Sequence, residues 1–367
     1  MKDLNADEKR PKVLFITRKY PPMRGGMEAY SYNLISNYNY PAKVIKLGKK
    51  QIHLLWFFPY CMLYVLFNCR KYDVIELGDM LLCGLGWIAK KVNKKIKVVA
   101  TVHGLDITYT KPVYQLYLKL FSYGFDMYVP NSRYTEQIAN QRGYYPTKVI
   151  PPATLNDKNS VIEPQNREKI LKKYGIPKDT IIITTVGRLV KRKGVQWFIE
   201  NVLSQIKNEN IVYIVIGEGP MRNSIQETIN RSQETRVQML GKVSEEELRL
   251  WYAHTDIFLM PNILVDGDVE GYGMVAVEAA AAECIVVAAD IQGILDAVND
   301  GTNGFLYESG NPDSLKERLL EIVDDIGKYN KFRKTAREYV LKECTGVAIA
   351  DKYYRLFEGL FEKCSDN

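Results

Sequence analysis

A short apolar strand that runs into a glycine-containing loop and then a helix occurs twice in this chain, and this repeat constrains the fold most. The first copy combines a strand at 12–17, a loop with Gly25 and Gly26, and a helix at 29–37. The second combines a strand at 180–186, a loop from Gly187 to Gly194, and a helix at 195–206. Alternating strands and helices favour a parallel sheet covered on both faces. We therefore expect an α/β protein with two doubly wound units.

Further elements follow the same alternation in both halves. The remaining predicted strands cover 42–46, 74–77, 98–102, 127–130, 212–216, 237–240, 257–261, 285–289 and 304–307. The remaining predicted helices cover 54–67, 112–123, 134–141, 245–254, 274–282, a stretch from about 294, 312–325 and 347–364. A length of 367 residues also favours two domains. We place the first domain at 1–155, a linker rich in Asn, Asp, Ser and Pro at 156–166, and the second domain at 167–343, followed by a C-terminal helix at 344–367.

The longest apolar run, at 54–67, is interrupted by Pro59 and is shorter than a bilayer span. We interpret it as a mostly buried helix; the alternative is that part of it touches a membrane. The first ten residues are charged and do not resemble a secretory signal. The six cysteines form no CxxC pair, which favours reduced, packed thiols and a cytoplasmic location.

The two halves of the chain carry opposite net charge. Residues 1–160 contain 24 Lys and Arg against 11 Asp and Glu, a net charge of +13, whereas residues 161–367 contain 26 against 32, a net charge of −6. Such asymmetry can attract the first half to nucleic acid, anionic lipid or a phosphorylated substrate. No nucleic-acid-binding motif accompanies the basic residues. We therefore favour a membrane surface or an anionic substrate over nucleic acid.

Residues 270–278 place two carboxylates around a glycine-rich turn that opens a helix. Gly271 and Gly273 allow the backbone to approach a ligand closely, and the helix start presents unpaired amides that suit an anion. Glu278 falls among alanines and valines, where an unpartnered carboxylate would be costly. It needs a polar ligand or a partner side chain. The alternative is that Glu278 lies on a solvated helix face and that Glu270 is an ordinary loop residue.

Polar side chains also follow other predicted strands. His103 and Asp106 follow one strand of the first half, and Asn131 follows the next. In open parallel sheets this carboxyl edge is where ligands bind. Four cations, Arg188, Lys191, Arg192 and Lys193, follow the first strand of the second half. The alternatives are a packing role for His103 and a solvated charge run for the cations.

Four motifs in order resemble those of the retaining GT-B glycosyltransferases of family 4, also called glycosyl transferases group 1. They are Pro21-Pro22 with Gly25-Gly26-Met27-Glu28, His103-Gly104, Gly187-Arg188 with Lys193-Gly194, and Glu270 with Glu278. The resemblance extends from residue 12 to the last helix. It implies two Rossmann-like doubly wound domains that face a cleft, with the C-terminal helix crossing back to the first domain.

The resemblance also implies roles for individual residues. Arg188 and Lys193 would neutralise the donor diphosphate and stabilise it as it leaves. Glu278 would accept hydrogen bonds from the ribose hydroxyls, and Glu270 and His103 would contact the transferred sugar. The remaining donor-binding candidates are Gly25, Gly26, Gly187, Gly217, Val243, Gly271, Gly273, Met274 and Val275. On the acceptor side the candidates are Arg24, Asp106 and Asn131.

The activity that the resemblance implies is retaining, metal-independent transfer of a hexose from UDP- or GDP-sugar to a glycan or lipid-linked acceptor. The expected process is bacterial cell-surface polysaccharide biosynthesis, of lipopolysaccharide or capsule. No cofactor is expected, because the nucleotide-sugar is a co-substrate. Asp266 and Asp268 imitate a metal-binding motif of another glycosyltransferase fold but are expected to shape their loop. We further expect contact with the inner face of the cytoplasmic membrane, electrostatic and therefore sensitive to salt.

Two other functions remain open at this point. A nucleotide-sugar epimerase of the same fold would change the donor without an acceptor, and a phosphorylase would need a cofactor lysine for which the sequence has no distinct motif. A catalytically silent nucleotide-sugar-binding subunit would bind the donor without turnover. The presence of Arg188, Lys193, Glu270 and Glu278 together favours an enzyme.

Overall fold

The computed structural model describes residues 10–22, 26–48, 51–154, 167–268 and 270–365, with the backbone alone at 51 and 363–365. The chain forms two compact units. Unit 1 consists of Met1–Ala153 and Gly346–Asn367, and unit 2 consists of Thr154–Thr345. The predicted linker at 156–166 lies outside the described residues.

Unit 1 contains a five-stranded parallel sheet with helices around it. Its strands are β1 (Val13–Thr17), β2 (Ala42–Lys46), β3 (Val74–Leu77), β4 (Lys97–Val102) and β5 (Met127–Pro130). Its helices are α1 (Gly26–Ser36), α2 (Leu54–Asn68), α3 (Cys83–Val92), α4 (Leu105–Thr108), α5 (Pro112–Phe121) and α6 (Arg133–Gln141), together with the C-terminal helix (Gly346–Ser365). The predicted strands agree closely with these bounds, whereas α3 and α4 had no predicted counterparts.

The strand order in unit 1 is β2-β1-β3-β4-β5. All neighbouring pairs are parallel, so the carboxyl ends of the five strands lie at one edge of the sheet. The chain runs outward from β1 to β2 and then returns to build β3, β4 and β5 on the other side. The loops after β1 and β3 therefore diverge at a topological switch point, where open α/β sheets bind ligands.

Helix α2 corrects the prediction for the longest apolar run. The helix forms and includes Pro59, so the proline does not interrupt it. However, only Phe57, Cys61 and Val65 of its fifteen residues are buried, and the opposite face is exposed although it is apolar. The expectation of a mostly buried helix was therefore wrong. A continuous apolar sequence lacks the polar residues that would mark which face meets solvent, and this explains the error.

The C-terminal helix belongs to unit 1 and packs against α1. Its Tyr353 and Phe357 are fully buried in a cluster with Phe15 of β1 and Val99 of β4. The apolar positions of this helix thus cover one face of the first sheet. This helix is therefore part of the core of unit 1.

Unit 2 contains a six-stranded parallel sheet. Its strands are β6 (Ile181–Val186), β7 (Ile211–Ile216), β8 (Val237–Gly241), β9 (Ile257–Met260), β10 (Ile285–Ala289) and β11 (Phe305–Tyr307). Its helices are α7 (Arg167–Lys173), α8 (Val195–Asn201), α9 (Arg222–Ser232), α10 (Glu245–His254), α11 (Met274–Ala281), α12 (Ile294–Ala297), α13 (Pro312–Asp324) and α14 (Asn330–Glu343). Helix α8 ends earlier than the predicted 195–206, and α7, α9 and α14 were not predicted.

The strand order in unit 2 is β11-β10-β9-β6-β7-β8. The strands are rich in Ile and Val, and β7, β9 and β10 are buried along their whole length, as expected for a parallel sheet covered on both faces. The chain builds β6, β7 and β8 in one direction and then returns to place β9 on the other side of β6. The switch point of unit 2 therefore lies between β6 and β9.

In the parts of the chain that the structure describes, no helix combines the length and the apolar character that crossing a bilayer requires.

Candidate active site

The strand order of unit 2 brings four predicted segments to one edge of its sheet. Strands β9, β6, β7 and β8 are neighbours, and their carboxyl ends carry the loops with Glu270, Arg188, Gly217 and Val243. These loops are far apart in sequence, so the parallel topology alone makes them adjacent. The predicted donor-binding segments of this half thus meet at the switch point and beside it.

Glycines hold the loops after β6, β7 and β8 against one another. The amide of Gly187 donates to the carbonyl of Ile216, and the amide of Gly217 donates to the carbonyl of Gly241. Gly217 has φ of 142°, and a Cβ placed there would lie 1.9 Å from the Gly187 carbonyl oxygen. No side chain fits at that distance. Gly187 and Gly217 therefore allow two backbone loops to touch at the sheet edge.

Lys193 and Glu270 form a buried ion pair at this edge. The Nζ of Lys193 lies 2.7 Å from Oε2 of Glu270, and about a tenth of each side chain is exposed. The same Oε2 accepts a hydrogen bond of 2.9 Å from Nδ2 of Asn262, which is buried. Arg192 adds a second cation, with its Nε at 3.4 Å. One carboxylate oxygen is therefore contacted by two cations and an amide.

Backbone geometry fixes both partners of this pair. Lys193 precedes Gly194, which adopts a left-handed conformation with φ of 65°. A Cβ at Gly194 would lie only 1.6 Å from the Pro261 carbonyl oxygen. The amide of Glu270 donates to Oε1 of Gln292 at 2.7 Å. The loop after β6 and the loop after β9 are thus in direct contact, and their side chains meet because their backbones do.

Arg188 differs from the other cations of the loop. Its side chain is exposed, and it has no ion-pair or hydrogen-bond partner among the residues that the structure describes. It immediately follows Gly187 at the end of β6. An unneutralised guanidinium at the carboxyl edge of a parallel sheet is available to a phosphate.

Glu278 lies in the second turn of α11 and is bound by a tyrosine. The hydroxyl of Tyr252 in α10 donates to Oε2 of Glu278 at 2.9 Å. Burial raises the pKa of Glu278, and the hydrogen bond from Tyr252 lowers it in part. The side chain is half-buried, so one part of the carboxylate remains accessible. Tyr252 is thus the polar partner that the sequence left unassigned.

Helix α11 begins at Met274, directly after Gly273 in the left-handed conformation, with φ of 72°. Gly271 and Met274 are exposed, and Val275 is half-buried. Gly271 comes so close to Gly293 that a Cβ on Gly293 would lie 1.7 Å from the Gly271 carbonyl oxygen. The helix start is therefore fixed by backbone packing. Its first amides are the ones that lack intrahelical acceptors.

Asp268, the second of the two aspartates before Glu270, pairs with a cation. Oδ1 of Asp268 lies 3.2 Å from Nη1 of Arg192, the residue that also contacts Glu270. Among the described residues, no group of three His, Cys, Asp or Glu side chains is placed to hold a metal ion. Asp268 instead helps to position Arg192.

The loops at the carboxyl edge of unit 1 also contact one another. Arg18 follows β1 and Asp79 follows β3, and Nε of Arg18 lies 3.0 Å from Oδ2 of the fully buried Asp79. Nε2 of His103, which follows β4, donates to the carbonyl of Gly78 at 3.0 Å. The hydrogen bond to Gly78 fixes the orientation of the imidazole, with its hydrogen on Nε2. His103 itself is half-buried.

Asp106 is buried and serves the backbone. Its Oδ2 accepts from the amide of Met80 at 3.2 Å, and its Oδ1 accepts from the amide of His103 at 3.0 Å. Burial raises its pKa, whereas nearby His103 and the two amides lower it. Both carboxylate oxygens are thus occupied by bonds that hold the loops after β3 and β4.

A buried hydrogen-bonded chain lies behind His103. The carboxyl of Glu76 accepts from the hydroxyl of Thr101, which contacts the hydroxyl of Tyr353, and this contacts the hydroxyl of Tyr30. The ring of Tyr30 lies edge-on to His103 with the ring centroids 5.2 Å apart. Burial raises the pKa of Glu76 to about 8. The chain connects β3, β4, the C-terminal helix and α1 beneath the predicted site residue.

The remaining described candidates of unit 1 lie after β5 and at the start of α1. Oδ1 of Asn131 accepts from the hydroxyl of Thr135 in the first turn of α6. Gly26 is the first residue of α1, and Glu28 of the same motif is buried with Lys19 at 3.0 Å. Arg24 and Gly25 lie outside the described residues.

Sequence reasoning missed several side chains of these two edges. Asn262 and Gln292 bind Glu270, Tyr252 binds Glu278, and Asp79 binds Arg18. Asn262 and Asp79 each follow a predicted strand within two residues, which was the available signal. Tyr252 carries no such signal because it lies inside α10. Gln292 also follows a strand, since it lies three residues after the end of β10.

Two family models match this chain and together span most of it. The model of Glycosyltransferase Family 4 matches residues 8–154, and that of Glycosyl transferases group 1 matches residues 166–339. The first match lies in unit 1, and the second lies within unit 2.

Individual relatives and solved structures agree with these matches. The chain is 24% identical to a GDP-mannose-dependent monoacylated alpha-(1-6)-phosphatidylinositol monomannoside mannosyltransferase of Corynebacterium glutamicum, over 86% of this chain and 89% of that protein. It is 29% identical to the capsular polysaccharide biosynthesis glycosyltransferase CapM of Staphylococcus aureus, over 44% of this chain and 41% of that one. The chain spans less than half the length of several curated relatives that it matches.

The fold also resembles that of Anabaena HepE in complex with UDP. The TM-score is 0.72 at 20% identity, and the similarity covers 95% of this chain and all of HepE. HepE has also been solved with UDP-glucose. At this identity the likeness concerns the fold, the GT-B architecture of two Rossmann-like domains. The matches to both halves and the ordered motifs lead to one conclusion: the chain is a member of the group 1, family 4 glycosyltransferases, with the GT-B fold.

Proposed function

We propose that this glycosyltransferase moves a hexose from UDP- or GDP-sugar to a glycan or lipid-linked acceptor, with retention of the anomeric configuration. The observation that carries the proposal is the grouping of Arg188, Lys193 and Glu270 at the switch point of unit 2. The motifs assign Arg188 and Lys193 to the diphosphate and Glu270 to the transferred sugar. Proteins with related sequences act in glycolipid and capsule biosynthesis, which supports a role in cell-surface polysaccharide synthesis.

In the proposed reaction, the bond between the anomeric carbon and the diphosphate oxygen breaks, and the electron pair leaves with the diphosphate. Arg188 binds the diphosphate first, because its guanidinium has no competing anion among the described residues. Lys193 adds a second positive charge from a largely buried position, where its interaction with developing negative charge is stronger than in water. An acceptor hydroxyl forms the new bond on the face that the diphosphate leaves, and its proton passes to the departing phosphate.

Glu270 has a positioning role in this proposal. Its Oε2 is held by Lys193, Arg192 and Asn262, so its direction is fixed before a donor arrives. The carboxylate then accepts hydrogen bonds from sugar hydroxyls and favours positive charge at the anomeric carbon. No covalent nucleophile is assigned. Glu278, which already accepts a hydrogen bond from Tyr252, also accepts hydrogen bonds from the ribose hydroxyls.

We further propose turnover without a metal ion. The Asp268 carboxylate is neutralised by Arg192, which supports this view. Activity in excess EDTA that equals activity with added Mg²⁺ or Mn²⁺ is the expected result. Loss of activity in EDTA that returns with either ion would contradict it.

Two further proposals concern where the protein meets its acceptor. A net charge of +13 in residues 1–160 supports contact with an anionic membrane, and we propose that the protein acts at the cytoplasmic side of that membrane. The donor-sugar contact of His103 and the acceptor-side roles of Arg24, Asp106 and Asn131 stay predictions.

The test is a panel of UDP-, GDP- and ADP-sugars with the full chain. Binding is measured by thermal shift, since a donor at 100 times its dissociation constant stabilises a protein by about 2.7 kcal/mol. Turnover is measured as nucleoside diphosphate released with and without a lipid extract as acceptor. We expect one nucleotide class to bind and to be consumed. Binding without nucleotide release would indicate a silent subunit, and conversion of the donor sugar without release would indicate an epimerase.

A further inference from the structure

Unit 1 exposes an unusual number of large apolar side chains on α2 and α5. Trp56 and Phe67 of α2 are each 80% exposed, and Val113 of α5 is 83% exposed. We call the set the apolar face. It consists of Leu55, Trp56, Tyr60, Leu63, Leu66, Phe67, Val113, Leu116 and Leu120.

Helix α2 has no charged residue in fifteen positions. At 100° per residue its exposed side chains cover roughly 140° of arc opposite the buried Phe57, Cys61 and Val65. A surface helix normally presents charged residues there. Contiguous exposed apolar surface of this kind marks a binding surface in soluble proteins.

Helix α5 continues this surface with a stripe of its own. Val113, Leu116 and Leu120 lie at spacings of three and four residues, and more than half of each side chain is exposed. Both α2 and α5 pack on α3, and they meet at Gly84. A Cβ at Gly84 would lie 2.8 Å from the Tyr117 hydroxyl and 3.3 Å from Cζ of Phe58. The two helices therefore flank α3 side by side.

The exposed charges of the segment that carries α2 and α5, residues 51–124, are almost all positive. Between residues 51 and 124, three of the four carboxylates are buried, namely Glu76, Asp79 and Asp106. The exposed cations of the same segment are Arg70, Lys71, Lys91, Lys94, Lys95, Lys111 and Lys119. Arg70 and Lys71 follow α2 directly, and Lys119 lies on α5 itself. A second copy of the chain would bring like charges together, whereas an anionic surface would neutralise them.

A cavity beside α5 adds to this pattern. It has a volume of about 390 Å³ and is lined by Lys119 and Arg142 together with Leu116 and Tyr123. Nη1 of Arg142 donates to Oε1 of Gln115 at 2.8 Å, a neutral partner that leaves its charge uncompensated by that contact. Two cations next to an exposed leucine match the phosphate of a lipid whose chains lie beside it.

We propose that the apolar face inserts into the interfacial layer of an anionic phospholipid bilayer, with the surrounding cations at the headgroup phosphates. Trp, Phe and Leu on an uncharged helix face are typical of interfacial insertion, and Arg70 and Lys71, which follow α2, can reach the headgroups along their alkyl stems. The inference deepens the membrane contact of the proposed function, on which it rests, and gives the acceptor side a defined surface. It also changes the expected salt dependence: binding persists where a purely electrostatic contact would be screened.

The test is co-sedimentation of the full chain with vesicles of phosphatidylcholine containing phosphatidylglycerol, at 0.1 M and 0.5 M NaCl. The variants are Trp56→Ser with Phe67→Ser, and the control is Leu264→Ser, an apolar residue of unit 2 that is 68% exposed. We expect retention of vesicle binding at 0.5 M NaCl for the unaltered chain and the control. For the double variant, which loses the interfacial burial of two aromatic side chains, we expect a partition coefficient at least tenfold weaker, equivalent to about 1.4 kcal/mol.

Three outcomes would overturn the inference: no vesicle binding, complete release at 0.5 M NaCl, or equal binding by the double variant. A concentration-dependent mass in light scattering that falls in the double variant, without vesicle binding, would assign the face to a second copy. Vesicle binding without any sugar transfer would support the inference and count against the proposed activity. Transfer by a chain that does not bind vesicles would do the reverse.

Discussion

The Nζ of Lys193 lies 2.7 Å from Oε2 of Glu270, and about nine-tenths of each side chain is buried. The two residues that are predicted to bind different parts of the donor thus bind each other before it arrives. Arg192 contacts the same oxygen at 3.4 Å. A diphosphate can therefore bind Lys193 while Arg192, which also pairs with Asp268, still contacts Glu270.

Removal of Lys193 tests this arrangement. Lys193→Met leaves Glu270 buried with a single, longer ion contact, so we expect the free energy of unfolding of unit 2 to fall by about 1–3 kcal/mol. Adding Glu270→Gln should restore part of that loss, because the uncompensated carboxylate is then gone. Sugar transfer should be lost in the single variant and should not return in the double variant. Calorimetric unfolding of the single and double variants measures the coupling between the two residues.

The ion pair of Lys178 and Glu168 provides a matched control. Its side chains are 75% and 80% exposed, although the distance of 3.1 Å is similar. Exposed pairs contribute little, so Lys178→Met should change stability by less than about 0.5 kcal/mol. Equal losses for Lys178→Met and Lys193→Met would contradict the importance given to burial.

Glu278→Gln should stabilise the unliganded protein and weaken donor binding. Burial raises the pKa of Glu278, so the folded state favours its protonated form, and ionisation destabilises the fold as pH rises through that pKa. The glutamine removes this cost while its carbonyl still accepts from Tyr252. The melting temperature should therefore rise more at pH 8 than at pH 5. Nucleotide affinity should fall about tenfold, because hydrogen bonds to a charged acceptor are lost.

Tyr252→Phe separates the two contributions. It removes the hydrogen bond that lowers the pKa of Glu278 but leaves the carboxylate in place. We expect lower stability at pH 8 and a smaller loss of nucleotide affinity than in Glu278→Gln. If calorimetric titration shows unchanged nucleotide affinity in Glu278→Gln, the assignment of Glu278 to the ribose is wrong.

Glu76 should make unit 1 less stable as pH rises. Burial raises the pKa of Glu76 to about 8, well above that of an unfolded glutamate. Between about pH 4.5 and pH 8 the folded state therefore keeps a proton that the unfolded state has already released. Its contribution to the free energy of unfolding should therefore fall by about 3 kcal/mol from pH 5 to pH 8. Glu76→Gln, which keeps an acceptor for Thr101, should abolish this dependence. A Glu76→Gln variant with the full pH dependence of the unaltered chain would contradict it.

Much of the fold could be predicted from the sequence because many strands are Ile- and Val-rich and some, such as β6 and β7, run directly into a glycine. Strands β2, β3, β5 and β10 have the predicted bounds. Polar helices such as α9 and α14 were missed, since weak apolar periodicity gives little signal. The uncharged α2 was predicted as a helix but given the wrong burial, because only tertiary packing decides which of its apolar faces is covered.

The candidate site was predictable to the extent that its residues follow strands. The positions of Arg188, Lys193 and Glu270 at one sheet edge follow from the strand order, which the sequence only suggested. The partners Asn262 and Tyr252 were not predictable, since a hydrogen bond between residues of different loops and helices depends on the folded backbone.

The measurement that tests the central claim most directly is release of nucleoside diphosphate from the donor by the Arg188→Ala variant. Arg188 is exposed and has no partner among the described residues, so its removal should leave folding and the melting temperature unchanged. If it stabilises the departing diphosphate, turnover should fall about 100- to 1,000-fold while donor affinity changes much less. Turnover equal to that of the unaltered chain would contradict the assignment of this edge of unit 2 as the donor site, and a loss confined to donor affinity would contradict the role of Arg188 in stabilising the departing diphosphate.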